Sequence, residues 1–147
     1  MTKKRTLIGL ASALTLGMGL AFAIPALPAV GQSSPPAPAF QIGSPAALQS
    51  KGAALLVPTR IICPAGDFIE SAGVEVTERV GNAIAQGAGE VDSVVCTGNV
   101  QTFTIAVAAF NKPFKHGSAF VQGSLVVCGP FLGCVFPTDQ RSISITK

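Results

Sequence analysis

The side chains in this 147-residue chain that could do chemistry are few, and their spacing gives that chemistry little room. A Ser-His-Asp hydrolase would have to use His116, the sole histidine, which follows Lys112 and Lys115 and precedes Gly117. An imidazole in such a loop is solvated rather than held against a nucleophile. Paired carboxylates could cleave a glycosidic bond if two of Asp67, Glu70, Glu75, Glu78, Glu90 and Asp92 met across a substrate. Residue type alone nominates them, and Glu75, alternating with Val74 and Val76, is placed on a solvated sheet face. Gly87-Ala88-Gly89 has only a superficial likeness to a phosphate loop, because Asp92 stands where a dinucleotide fingerprint needs its third glycine. The chain has no Trp and no Tyr, so the aromatic platforms that usually receive sugars would have to be Phe.

The four cysteines, Cys63, Cys96, Cys128 and Cys134, form no CxxC pair, which argues against zinc. Their even number favours disulfides in an exported protein. Three pairings are possible; the five residues between Cys128 and Cys134 suit a short closed loop, which leaves Cys63 for Cys96. No catalytic, cofactor-binding or metal-binding residue is assigned, and no cofactor is expected.

These groups must be carried by an exported domain. Lys3-Lys4-Arg5 precedes an apolar run from Leu7 to Phe22, and Ala21-Phe22-Ala23 is a small-x-small cleavage pattern, so residues 1–23 are read as a signal peptide. The run's sixteen residues fall short of the roughly 20 that span a bilayer, so no stable membrane span is expected after cleavage. Ten Lys and Arg face seven Asp and Glu in the whole chain; three of the cations leave with the signal, and the remainder balances at seven each. With only Lys112, Lys115 and His116 grouped, nucleic acid and other polyanions are not expected partners.

Residues 24–46 hold six of the eleven prolines and no charge, and are read as a Pro/Ala-rich disordered linker whose removal leaves stability nearly unchanged. Residues 47–147 repeat short Val-, Ile-, Thr- and Phe-rich runs broken by Gly, Pro, Asn or Asp, the pattern of an all-β sandwich or barrel, with an antiparallel sandwich as the form expected. Leu55, Val57, Ile61 and Cys63 share one strand face, with Pro58 marking an edge or bulge. Val74 and Val76 face the core in the next strand, the glycine-rich 81–89 stretch suits a short edge strand, and Ile143 and Ile145 point inward in a last strand over 142–146. Between them, 92–107 reads as a hairpin turning at Gly98-Asn99, with Thr97 opposite Val100. Its buried face carries Val94, Cys96, Phe103, Ile105 and Val107.

The run 76–89, Cys96-Thr97-Gly98 and the run 113–119 resemble small exported actinobacterial proteins of unknown function that are immunoglobulin-like. A more distant, architectural resemblance is to the enediyne-binding apoproteins, also exported two-disulfide sandwiches. The resemblance implies an immunoglobulin-like fold and transfers no catalytic residue.

The function expected is therefore a secreted or cell-envelope-associated binding or structural module, not an enzyme, for a protein, a cell-wall component or a small apolar molecule. The alternative is a small secreted hydrolase or hydrolase inhibitor. The candidate contact tip is Pro130, Phe131 and Leu132 between the paired cysteines, unless Phe131 and Leu132 fold with Val135 and Phe136 over the open end of the core.

Overall fold

Alternating apolar residues build nine strands in the computed structural model, which describes residues 34–130 and 133–147. They are β1 (Ala39–Ile42), β2 (Ala46–Gln49), β3 (Ala54–Ile62), β4 (Phe68–Val80), β5 (Ala83–Val95), β6 (Gln101–Ala109), β7 (Gly117–Gly129), β8 (Gly133–Val135) and β9 (Thr138–Thr146). The only helical turn among the described residues is the 3-10 segment Ser50–Gly52. The segment read as a signal peptide and the start of the segment read as a Pro-rich linker lie outside the described residues.

Seven of the strands form a closed ring, β3-β2-β9-β7-β4-β5-β6, with β6 returning to β3. This all-β ring replaces the expected pair of open antiparallel sheets. Two seams close it. On one side β2 runs parallel to β9, pairing Ala46 with Ile145. On the other β5 meets β6 at Gly87↔Ala109 and Ala88↔Ala108. β1 and β2 lie one after the other along the same edge of β3, separated by Gly43-Ser44-Pro45. Pro58 explains the interruption. In an antiparallel pair a residue's N–H and C=O point to the same neighbour, and the Pro58 carbonyl accepts the Gly43 N–H at 2.6 Å. The N–H that Pro58 lacks would therefore point at the break, where no ladder partner is needed.

The linker boundary moves accordingly. Phe40, Ile42 and Ala46 are buried on strands inside the segment expected to stay unfolded, so the folded part starts before residue 47, with its first strand at Ala39.

The predicted hairpin is also corrected. Most of β5 pairs with β4 and most of β6 with β3, from Ala54↔Ala108 to Ile61↔Gln101, so 92–107 is divided between two strand pairs. The long hairpin turns instead at Gly81-Asn82, and runs in one register from Val80↔Ala83 to Phe68↔Val95. Gly81 has φ 63°, as the first position of a two-residue hairpin turn requires. The glycine-rich stretch thus opens a 13-residue strand. Around Gly98-Asn99 the Gln101 side chain takes over from the ladder, donating to the Val95 carbonyl and accepting the Thr97 N–H.

The inner face holds Leu55, Val57, Ile61, Cys63, Ile105, Val107, Ile143 and Ile145 as expected, all buried. Val94 and Phe103 are half-buried against them. The two disulfides are Cys63–Cys96, with Cα atoms 5.5 Å apart, and Cys128–Cys134, 4.0 Å apart. The first joins the chain after β3 to the chain after β5 across 33 residues, and the second joins β7 to β8 across 6. In the chain-entropy treatment, replacing Cys63 and Cys96 with Ala costs roughly 3 to 4 kcal/mol and replacing the other pair roughly 2. Urea unfolding of the two double variants measures this order directly; equal losses would contradict it.

Candidate functional site

The registers of β5-β4-β7-β9 place rows of outward side chains across four strands. One row is Glu90, Gly73, Ser124 and Thr138; the next is Ala88, Glu75, Gln122 and Gln140. Because Gly73 and Ala88 carry little bulk, the rows enclose an open depression of about 1010 Å³ lined also by Ser71 and Asp139. The floor is tight from below: a Cβ on Gly123 would lie 2.5 Å from the Phe40 ring, so glycine lets β1 pack beneath this part of the sheet.

The depression is polar. Gln122 Nε2 donates to Glu75 Oε2 at 3.2 Å, which orients that carboxylate, and the Glu90 carboxylate is exposed beside it. Carboxylate oxygens accept hydrogen bonds, amide groups do both, and the Ser124 and Thr138 hydroxyls do both. Such a surface suits a ligand carrying hydroxyl and amide groups.

The other nominated residues scatter. Glu78 is buried, 3% exposed, and accepts the Lys115 N–H at 2.8 Å. Asp67 closes the turn after Pro64 and lies against Gly129. Asp92, on β5, is paired with Ser71 of β4. His116 stands immediately before β7, beyond its first residue, whereas the depression begins at Gln122. It therefore joins neither Glu75 nor Glu90. Glu70 and both sulfurs of Cys128–Cys134 form the metal-like group among the described residues. Disulfide sulfurs offer no thiolate, so this trio lacks the ligands a transition metal takes.

Of the contact tip, Pro130 is exposed, while Phe131 and Leu132 lie outside the described residues. Val135 is 43% and Phe136 67% exposed, so these two do not cover the end of the core. Phe68 and Val95, paired across β4 and β5, are also exposed at this end.

Sequence reasoning found Glu75 and Glu90 but missed Gln122, Ser124, Thr138 and Gln140. Their signal was the alternation of polar residues with Val121 and Leu125 in one strand and with Ile143 and Ile145 in another. Alternation assigns a face and does not reveal which strands share it.

No family model and no curated protein matches the chain. Among solved structures, one match is the solution structure of a protein described as late embryogenesis abundant (LEA), at 10% identity and a TM-score of 0.44, covering 74% of this chain and 71% of that one.

Proposed function

We propose that the protein is an exported, non-enzymatic binding module that holds a hydroxyl- and amide-rich component of the cell envelope on the outer face of β5-β4-β7-β9. The depression carries this reading: its lining offers hydrogen-bonding side chains from four strands over a glycine-lined floor. Export rests on the basic, apolar and small-x-small pattern of residues 1–23. Two disulfides are compatible with an oxidising compartment. Kinship with immunoglobulin-like exported proteins is part of the same reading. It is supported by β1-β3-β6 pairing in the order of that fold's A, B and E strands, and by β4-β7-β9 in the order of its C, F and G strands.

The test is calorimetric titration with soluble disaccharide-peptide fragments of peptidoglycan. Saturable binding is expected, and Glu75→Ala, which removes a charged acceptor, should weaken it about tenfold or more. Absence of binding, or an unchanged affinity in the variant, counts against the assignment. The hydrolase alternative has one observation in its favour, the presence of Glu75 and Glu90 in one depression. It requires fragment release from intact peptidoglycan that Glu75→Gln and Glu90→Gln each abolish.

A further inference from the structure

The end of the ring farthest from the Cys63–Cys96 bridge collects cations that are scattered along the chain. Lys51 lies in the turn between β2 and β3, Arg79 is next to last in β4, and Lys112 and Lys115 lie between β6 and β7; all four are exposed. Hydrogen bonds draw these segments together. Phe114 N–H donates to the Gly52 carbonyl at 2.8 Å, Lys115 N–H to Glu78 at 2.8 Å, and Asn111 Nδ2 to the Ile84 carbonyl at 3.3 Å. The Glu78 carboxylate at this end is buried and accepts the Lys115 backbone N–H, and its one negative charge leaves the four exposed cations in excess. Asp67, Glu70 and Asp92 stand toward the other ends of β4 and β5. The balanced net charge therefore hides a polar distribution.

Two apolar side chains stand among these cations. Phe110 is 71% exposed and Ile84 47% exposed. Phe110 N–H donates to the Gln86 carbonyl at 2.8 Å, and Ile84, the strand partner of Arg79, lies two residues before Gln86, so both apolar residues stand near the start of β5.

We propose that this end docks on an anionic phospholipid surface, with Lys51, Arg79, Lys112 and Lys115 against the headgroups and Phe110 and Ile84 entering the interface. Charge complementarity selects an anionic partner, and the charge separation along the strands would orient the domain as it approaches. The apolar pair selects a bilayer over a dissolved polyanion, since buried apolar area and attraction to anionic lipid together set interfacial binding. This site is separate from the depression and does not depend on the function proposed for it.

Residues 33–147 form a compact unit with all nine strands and both disulfides, which removes the apolar N-terminal segment from the experiment. Co-sedimentation with vesicles of equal parts phosphatidylglycerol and phosphatidylcholine is expected, and none with phosphatidylcholine alone. Binding should fall as salt rises. Each cation contributes about a fivefold change in partitioning, so Lys112→Gln with Lys115→Gln should lower it about twenty-fivefold. Phe110→Ser should weaken vesicle binding while leaving circular dichroism unchanged. Absence of phosphatidylglycerol-dependent binding overturns the proposal, as does binding indifferent to the lysine changes. Equal capture of polyphosphate in solution, with Phe110→Ser without effect on vesicles, identifies a soluble polyanion site and also overturns it.

Discussion

Deleting residues 34–46 is expected to leave a chain that does not fold, although this segment reads as linker. It contains β1 and supplies Phe40 at 6% exposure and Ile42 and Ala46 at 0%. It also supplies the Gly43 N–H to Pro58, the Ile42 N–H to Asp139 at 2.8 Å, and the first residue of the β2–β9 seam. Truncating a buried Phe to Ala costs about 3 to 5 kcal/mol and a buried Ile about 2 to 5. Against a total stability of roughly 5 to 15 kcal/mol, losing both with the seam removes most or all of the margin. Circular dichroism should show no cooperative melt for the deletion, and a lowered one for Phe40→Ala alone. A melting temperature within a few degrees of the parent would mean that β1 and the Ala46 end of β2 are dispensable and that the linker boundary belongs at residue 47 after all.

The reason that segment was misread is physical. In Ala39-Phe40-Gln41-Ile42 the inward pair is separated by one polar residue, as in any half-buried strand, but four residues are too few for alternation to outweigh a neighbourhood of prolines. Where strands are longer the alternation was readable. Leu55, Val57 and Ile61, and likewise Ile105 and Val107, face inward because the period of two belongs to the strand itself and not to its partner. Pairing is a different matter. Gly81-Asn82 and Gly98-Asn99 carry the same local turn signal. The first joins strands that stay together over their length, whereas the chain at the second crosses from the partner of β4 to the partner of β3. The disulfide pairing stands although the hairpin register offered in its support does not, because the short loop from Cys128 to Cys134 by itself leaves Cys63 for Cys96. The depression and the cationic end have no local signature, since each is assembled from segments that only the closed ring brings together.

Phe114→Ala is expected to be among the most damaging single substitutions in the domain, even though Phe114 lies between β6 and β7 in the same loop as His116. Phe114 is 1% exposed and among the largest fully buried side chains. Two glycines make room for it. A Cβ on Gly87 would come within 2.9 Å of its ring, and Gly52, with φ 93°, leaves space for its carbonyl where a Cβ would collide. Its own N–H is bonded to Gly52 and that of Lys115 to Glu78, so the backbone around the ring is held at two points. The ring therefore fills the end of the core between the β2–β3 turn and β5, and a held backbone collapses poorly into the space left by alanine. The expected loss is about 3 to 5 kcal/mol, toward the upper part of the range for a site that cannot relax. For a domain of this size that corresponds to a fall in melting temperature of roughly 12 °C or more. Phe110→Ala is the control: four residues away and 71% exposed, it should change stability by no more than about 0.5 kcal/mol. Thermal unfolding of the two variants side by side decides the matter, because equal shifts would show that Phe114 is not the plug of this end of the ring.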